Sequence, residues 1–331
     1  MKTLVTGATG FLGRYVVEQL RERDVPVRAL VRKLDDELAA LDVEQVVGDI
    51  RDRAIVVEAC RGVDTVHHVA GVAGIWGSWR HYYEINTLGS EHVLEGCRRH
   101  GVARLVYTSS PSVTFDGGPQ EGIDEAAPYP RRWLCHYPHT KALAEQRILA
   151  ANGSDRLATC SLRPHLIWGP RDRHLLPRLI ARAHAGQLRR VGDGTNRIDT
   201  IYVENAAHAH LLAADALATD SPVAGRAYFI SQGEPVNCWQ WIDQLLELAG
   251  LPPVEKSVSL RTAWTAGRVL EIVHRLLGST REPRMTRFLA AQLGNSHFFD
   301  ITAARRDFGF TPQIPTEEGL RRLATELRAA R

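Results

Sequence analysis

The sequence predicts an α/β protein, a doubly wound parallel sheet with a smaller, mostly helical C-terminal lobe. Three observations carry this. Short apolar, β-branched runs alternate with helical stretches of about 10–20 residues, the pattern of parallel strands joined by crossover helices. A glycine trio at 7, 10 and 13 separates the first such run from the first helix. After Pro164 the alternation loosens, which is where a second lobe is inserted.

The first element is a strand over Leu4–Thr6, followed by the turn Gly7-Ala8-Thr9-Gly10-Phe11-Leu12-Gly13 and a helix with Val16, Val17 and Leu20 on one side. Glycine at 7 permits a tight turn, at 10 it lets backbone approach a pyrophosphate, and at 13 it lets the helix sit close to its strand. The free N–H groups and positive dipole end of the helix then face the phosphates.

A second strand, Val27–Val31, ends at Arg32-Lys33, where an acidic residue would hold a ribose 2′-hydroxyl. Cations there suit a 2′-phosphate, so NADP(H) is expected over NAD(H). The third strand, 44–48, leads into Gly48-Asp49-Ile50, and the fourth, 65–69, delivers Ala70-Gly71, whose small side chains admit a cofactor. Residues 71–85 read as a loop over the strand ends, with Trp76 and Trp79 either lining a substrate wall or packing in a core or dimer contact. The fifth strand, 104–108, precedes a second loop over 116–133, and a helix is expected from Pro138 to Ala151. A sixth strand covers 157–162.

Beyond it the pattern predicts a helix at 175–185, a turn at 191–194 and a strand at 197–203. A helix at 204–217 returns to the first domain, and a strand follows at 227–230. Helices at 239–249, 262–277 and 316–329 build most of the smaller lobe. The expected division gives 1–168 with 196–232 to a nucleotide-binding domain and 169–195 with 233–331 to a substrate lobe.

Composition bounds the function classes. A 44% hydrophobic and 24% charged chain is that of an ordinary globular protein, and a net charge of 41 − 38 = +3 argues against a nucleic-acid partner. Five scattered cysteines without a C-x-x-C pair fit a reducing compartment better than a disulfide framework or zinc site. Met1 leads at once into the first strand and no run suggests a membrane span, so a cytoplasmic location without a transmembrane segment is expected. Fourteen histidines show no convergent ligand spacing; His67 and His68 point to opposite strand faces, and His208 and His210 diverge on a helix, so no metal is expected.

The chemistry lies in Tyr137-Pro138-His139-Thr140-Lys141. Tyr and Lys at i and i+4 share a helix face, and an ammonium beside a phenol lowers its pKa, making Tyr137 a usable acid in ketone reduction. His139 faces away. A hydroxyl at the end of the fifth strand, in Thr108-Ser109-Ser110, would stabilise the developing oxyanion. Ser109 and Ser110 are both candidates for it. In the C-terminal lobe Arg261, Arg268 and Arg275 recur every seven residues beside Trp264, Val269, Leu270, Val273, Leu276 and Leu277. This helix could line an alkyl tunnel, dock on a membrane or partner, or form a lid with a solvated basic edge.

The stretches TGATGFLG, YTSSPSV, YPHTKALAEQ, LRPHLIWGP and VGDGTNRIDTIYVENAAHAH resemble the 3β-hydroxysteroid dehydrogenase branch of the extended short-chain dehydrogenase/reductase superfamily, over the whole chain and most closely over 1–215. Within it, AGIWGSW and IWGPRDRHLLPRL resemble bacterial reductases of long-chain olefin biosynthesis that act on 2-alkyl-3-oxoalkanoic acids. The resemblance implies a Rossmann domain, NADPH-dependent reduction of the 3-keto group, and Ser110, Tyr137 and Lys141 as the catalytic set. It assigns cofactor contacts to Gly7, Thr9, Gly10, Phe11, Leu12, Gly13, Arg32, Asp49 (adenine), Ile50, Ala70, Gly71, Thr108, Tyr137 and Lys141, and backbone contacts with nicotinamide to Pro164, His165 and Leu166. It also implies a homodimer. Competing expectations are an NAD-dependent sterol 3β-dehydrogenase, an NADP-sensing binding protein, and an enzyme that works in an assembly with other pathway enzymes. The segment PSVTF after Ser110 departs from the V-Y-G of sugar-nucleotide epimerases and weakens that reading.

Overall fold

The computed structural model describes residues 1–329; residues 330 and 331, the end of the expected substrate lobe, lie outside it. Strands β1 (Thr3–Thr6), β2 (Val27–Val31), β3 (Glu44–Val47), β4 (Thr65–His68) and β5 (Arg104–Thr108) precede a peripheral strand β6 (Gln120–Ile123). Then come β7 (Ala158–Pro164), β8 (Ile167–Trp168), β9 (Arg190–Val191), β10 (Arg197–Ile198) and β11 (Ile201–Tyr202). Last are β12 (Arg226–Ile230), β13 (Val236–Asn237), β14 (Ser257–Val258) and β15 (His297–Phe299).

Seven of them form one sheet in the order β12-β7-β5-β4-β1-β2-β3, every pair parallel. The order reverses between β1 and β4, so a crevice opens at their carboxyl ends, the place where such sheets bind ligands. The helix Phe11–Glu22 turns Leu12, Val16, Val17 and Leu20 inward, and each buried aliphatic contributes about 1.5–3 kcal/mol. It packs on the alanine-rich helix Val203–Ala216, whose small residues allow close approach. That helix returns to the large sheet, also packing on β5 and β7.

The part of the chain outside the seven-stranded sheet is less helical than its sequence suggests, and it takes in stretches near 120 and 197 that the sequence assigns to the nucleotide-binding domain. Besides the helices Cys238–Leu248, Leu260–Leu276, Arg287–Gly294 and Thr316–Ala329 it contains a four-stranded sheet, β13-β10-β15-β6. Strand β6 lies within the stretch 116–133 expected to be loop throughout. It becomes a strand because β15, far along the chain, pairs with it (His297 opposite Gln120). The strand expected over 197–203 is two short ones, since Asp199 turns away between them. Its N–H donates to the His297 carbonyl at 3.0 Å and its carboxylate accepts from the Phe299 N–H at 2.8 Å.

The loop expected over 71–85 ends early. Ser78 caps a helical turn at Trp79–Tyr82, accepting from the His81 N–H at 3.2 Å, and a π-helical segment follows at Tyr83–Leu88. The helix bearing Tyr137 starts at His136, two residues before Pro138; the proline still lies in the first turn, where no helical hydrogen bond is lost.

Candidate active site

The glycine turn closes as its sequence implies. Gly7 has φ +73°, the Gly10 N–H donates to the Gly7 carbonyl at 2.9 Å, and a Cβ on Gly7 would stand 2.8 Å from the Ala70 backbone. A Cβ on Gly13 would overlap the Gly7 carbonyl oxygen, so only glycine lets the helix start here. Gly10 caps the helix without a side-chain hydrogen bond, and the first turn holds no acid. Uncapped N–H groups at the crevice mouth form a cradle for an anion, and these residues fit a dinucleotide pyrophosphate.

Around that cradle, Thr9, Phe11 and Leu12 continue the turn. Arg32 lies exposed at the end of β2 and makes no ion pair among the described residues. Asp49 is held by Arg51 through two side-chain hydrogen bonds of 2.8 and 2.9 Å, which, with help from Arg32, draw its carboxyl down to about 2. An adenine contact at Asp49 therefore shares its oxygens with Arg51. Ile50 is buried behind it against Gly89.

A directed chain of hydrogen bonds fixes the floor of the crevice. The Ala70 N–H donates to Thr6 Oγ1 (3.2 Å), which donates to His68 Nδ1 (2.7 Å). His68 Nε2–H donates to Ser90 Oγ (2.8 Å), which donates to the Asn86 carbonyl (2.7 Å). His68 stays neutral in this chain, since burial and then the charge of Lys141 lower its pKa to about 3.

Asn86 is the residue that sequence reading missed. It sits in the π-helical segment, its Oδ1 accepting from the Val72 N–H (2.8 Å) and its amide donating to the Val72 carbonyl (3.0 Å) and Thr140 Oγ1 (3.2 Å). The loop after Gly71 is thereby stitched to the Tyr137 helix. The available signal was a buried asparagine inside a helical run, a position that usually disfavours it.

Tyr137 and Ser110 come together. Burial raises the Tyr137 pKa above its ordinary value, and the nearby Ser110 hydroxyl offsets part of that rise. Ser110 also caps the short turn Pro111–Thr114 through Ser112. Ser109 is buried on the other side, against Glu145. Lys141 is buried, donating from Nζ to the Thr108 carbonyl at 2.6 Å and lying 4.2 Å from the centre of the Tyr107 ring. Burial lowers its pKa to about 7, with Glu145 pulling the other way.

The expected lowering of the Tyr137 pKa by Lys141 is thus overturned. The ammonium is turned to β5 rather than to the phenol, and desolvation dominates the tyrosine. Thr108 gives its carbonyl to Lys141 and its hydroxyl to His210, 2.8 Å away.

Pro164 ends β7. The His165 N–H is donated to the Ile230 carbonyl (3.1 Å), and the Leu166 carbonyl accepts from the Ile201 N–H (3.3 Å), with Leu166 at φ +44°. His165 Nε2 lies 2.7 Å from His297 Nδ1, joining the end of β7 to β15.

Apolar side chains form one cluster, Phe115, Phe288 and Ala291 with Ile75, Leu134 and Cys135 packed on them; Phe115 ends the turn that Ser110 caps and Cys135 precedes the Tyr137 helix. Neither tryptophan belongs to this cluster. Trp76 donates from Nε1 to the Ser279 carbonyl (3.1 Å), and Trp79 stacks on Tyr83 and packs against His139. On the helix Leu260–Leu276 the aliphatic face does not line a tunnel, the first of the alternatives open from sequence. Val269, Val273, Leu276 and the following Leu277 point to solvent, because Gly267 seats the opposite face on the Thr286–Arg287 backbone. Among the described residues no group of three or more His, Cys, Asp or Glu side chains is placed to hold a metal, and no helix is long and apolar enough to cross a membrane.

Over residues 4–261 the sequence matches the 3-beta hydroxysteroid dehydrogenase/isomerase family. It is 49% identical over 325 residues to the 2-alkyl-3-oxoalkanoate reductase of Stenotrophomonas maltophilia (strain K279a), covering 98% of both chains. It is 45% identical over 330 residues to the 2-alkyl-3-oxoalkanoate reductase of Shewanella oneidensis, covering 98% of this chain and 85% of that one. Among solved structures, MoeE5 in complex with UDP-glucose and NAD matches with a TM-score of 0.75 at 27% identity, covering 100% of this chain and 99% of the other.

Proposed function

The chain belongs to the 3-beta hydroxysteroid dehydrogenase/isomerase family, and on that premise we propose that it reduces the 3-keto group of a long-chain 2-alkyl-3-oxoalkanoic acid to the 3-hydroxy acid. The family uses a nicotinamide dinucleotide. The cation at Arg32, where an acid would favour NAD, supports NADP(H).

The observation that carries the reaction type is a half-buried phenol, Tyr137, brought to the Ser110 hydroxyl at the end of the central strands. When bound, the reduced cofactor supplies a hydride to the carbonyl carbon. Ser110 and Tyr137 donate hydrogen bonds to the carbonyl oxygen as it gains charge, and Tyr137 then gives up its proton. A raised pKa keeps Tyr137 in the acid form that reduction needs. Lys141, anchored on Thr108, holds the ribose hydroxyls. The turn from Gly7 to Gly13, with Thr9, Phe11 and Leu12, seats the pyrophosphate, and Asp49, Ile50, Ala70 and Gly71 line the adenosine side. Pro164, His165 and Leu166 meet the nicotinamide, each through those backbone groups not already paired.

The substrate assignment is supported by the two relatives and by the wall of Ile75, Phe115, Leu134 and Phe288, which suits an alkyl chain. The division into a nucleotide domain and a substrate lobe, a homodimer, a cytoplasmic location and hand-over to other enzymes belong to the same proposal.

The test follows NADPH oxidation with a 2-alkyl-3-oxo acid, a 3-oxosteroid and NADH in parallel, using wild type and Tyr137→Phe. Turnover of the acid with NADPH, lost in the variant, is the expected result. Turnover of the steroid alone would move the assignment to a sterol dehydrogenase, and tight NADPH binding without turnover of either would make it a sensor.

A further inference from the structure

The outward face of the helix Leu260–Leu276 is exposed among the described residues. Residues 262, 265, 266, 269, 272, 273 and 276 recur at three- and four-residue steps and so share one face. From Val269 onward that face is wholly aliphatic: Val269, Ile272, Val273 and Leu276, with Leu277 beside them. These five account for most of the exposed large hydrophobic side chains among the described residues, and Leu276 and Leu277 are 82% and 75% exposed. A single aliphatic residue at the surface is ordinary; a continuous stripe along one helix is not.

The stripe has a predominantly basic border, interrupted by Glu282, which is itself paired with Arg178 and Arg182. Arg261, Arg268 and Arg275 run along one edge, all exposed, and Arg281 and Arg284 follow just beyond the helix. The one acid of the helix, Glu271, is buried on the inner face and paired with Arg287 at 2.7 Å. A helix with its aliphatic face outward, a cationic edge and no exposed acid fits the interface of an anionic lipid layer, acyl chains taking the stripe and headgroups the arginines. The stripe offers no aromatic or hydrogen-bonding anchor of the kind that dominates protein interfaces.

The helix also connects to the reaction centre. Trp76 donates to the Ser279 carbonyl just past the helix, and Arg275 lies over its ring (5.8 Å). The Trp76 carbonyl accepts from the Tyr82 hydroxyl (2.9 Å), and the Tyr82 ring stands 6.5 Å from that of Tyr137.

We infer that this helix docks the protein peripherally on an anionic lipid surface, with the loop of Trp76 at the lipid boundary. The inference rests on the helix surface and holds whichever ketone is the substrate.

The full chain is sedimented with vesicles of phosphatidylcholine alone or mixed with phosphatidylglycerol. Binding to the mixed vesicles, weakened by salt, is expected. Ile272→Ser with Leu276→Ser should weaken it tenfold or more, and Arg261→Gln with Arg268→Gln should remove most of the salt dependence. Both pairs sit on the surface, so melting temperature and turnover of a short, soluble ketone should match wild type. Failure of wild type to bind mixed vesicles, or equal binding by the serine pair, would overturn the inference. Self-association or capture of an acidic protein that the serine pair abolishes, without vesicle binding, would overturn it in favour of a protein partner.

Discussion

Lys141 donates to the Thr108 carbonyl from inside the protein, at 2.6 Å. One hydrogen bond joins the Tyr137 helix to the end of β5 and aims the lysine along the crevice rather than at the phenol. Its pKa, lowered from 10.5 to about 7, makes the charge available mainly below pH 7.

Cofactor affinity should therefore fall as pH rises through about 7, because the ammonium that holds the ribose loses its proton. Fluorescence titration with NADPH across this range checks it, and Lys141→Met should bind more weakly with a flat profile.

The same shift has a stability sign. A base whose folded pKa is depressed destabilises the fold below its unfolded pKa, and the cost is complete below the folded one. Lys141→Met should be more stable than wild type at pH 6, by about 2 kcal/mol, with the advantage shrinking as pH approaches 10.5. Thermal melts at several pH values read this directly.

Ser110 and Ser109 separate by partner. Ser110→Ala removes the hydroxyl beside Tyr137, so kcat should drop about 100-fold with cofactor binding retained. Ser109→Ala touches the side of Glu145 and should change kcat by less than about tenfold. Steady-state kinetics on both variants distinguishes them.

Glu145 and Arg163 form a buried ion pair, 2.6 Å at its closest, completed by Tyr129 and Ser161. Glu145→Gln alone leaves a buried guanidinium uncompensated and should cost about 3–5 kcal/mol by denaturant titration. Adding Arg163→Met should recover most of that loss.

Arg32→Ala should raise KM for NADPH at least about tenfold and leave NADH unchanged, a charge-assisted phosphate contact being worth roughly 1.5–3 kcal/mol. Equal losses with both cofactors would remove Arg32 from the 2′-phosphate site.

The nucleotide half was legible because its signals are local. Gly7 and Gly13 announce a turn that only glycine can make, and the strands around them declare themselves by apolar runs. What escaped depends on distant partners. Strand β6 exists through β15, and Asn86 matters because Val72 and Thr140 come to it. The outward direction of Val269 and Leu276 was undecidable from periodicity, which marks a face without saying what it meets; Gly267 decides it by docking the other side. The Tyr137 pKa was misjudged for a related reason, since i and i+4 spacing places Lys141 nearby but not its Nζ.

The sheet β13-β10-β15-β6 draws its strands from four separate stretches of sequence spanning residues 120 to 299. No contiguous cassette therefore encodes this sheet, and a chimera that exchanges the C-terminal third of the chain with a relative would break strand pairs on both sides of the junction. Altering which ketones are accepted calls instead for point changes at Ile75, Leu134 and Phe288, which reach the same apolar cluster from three different segments.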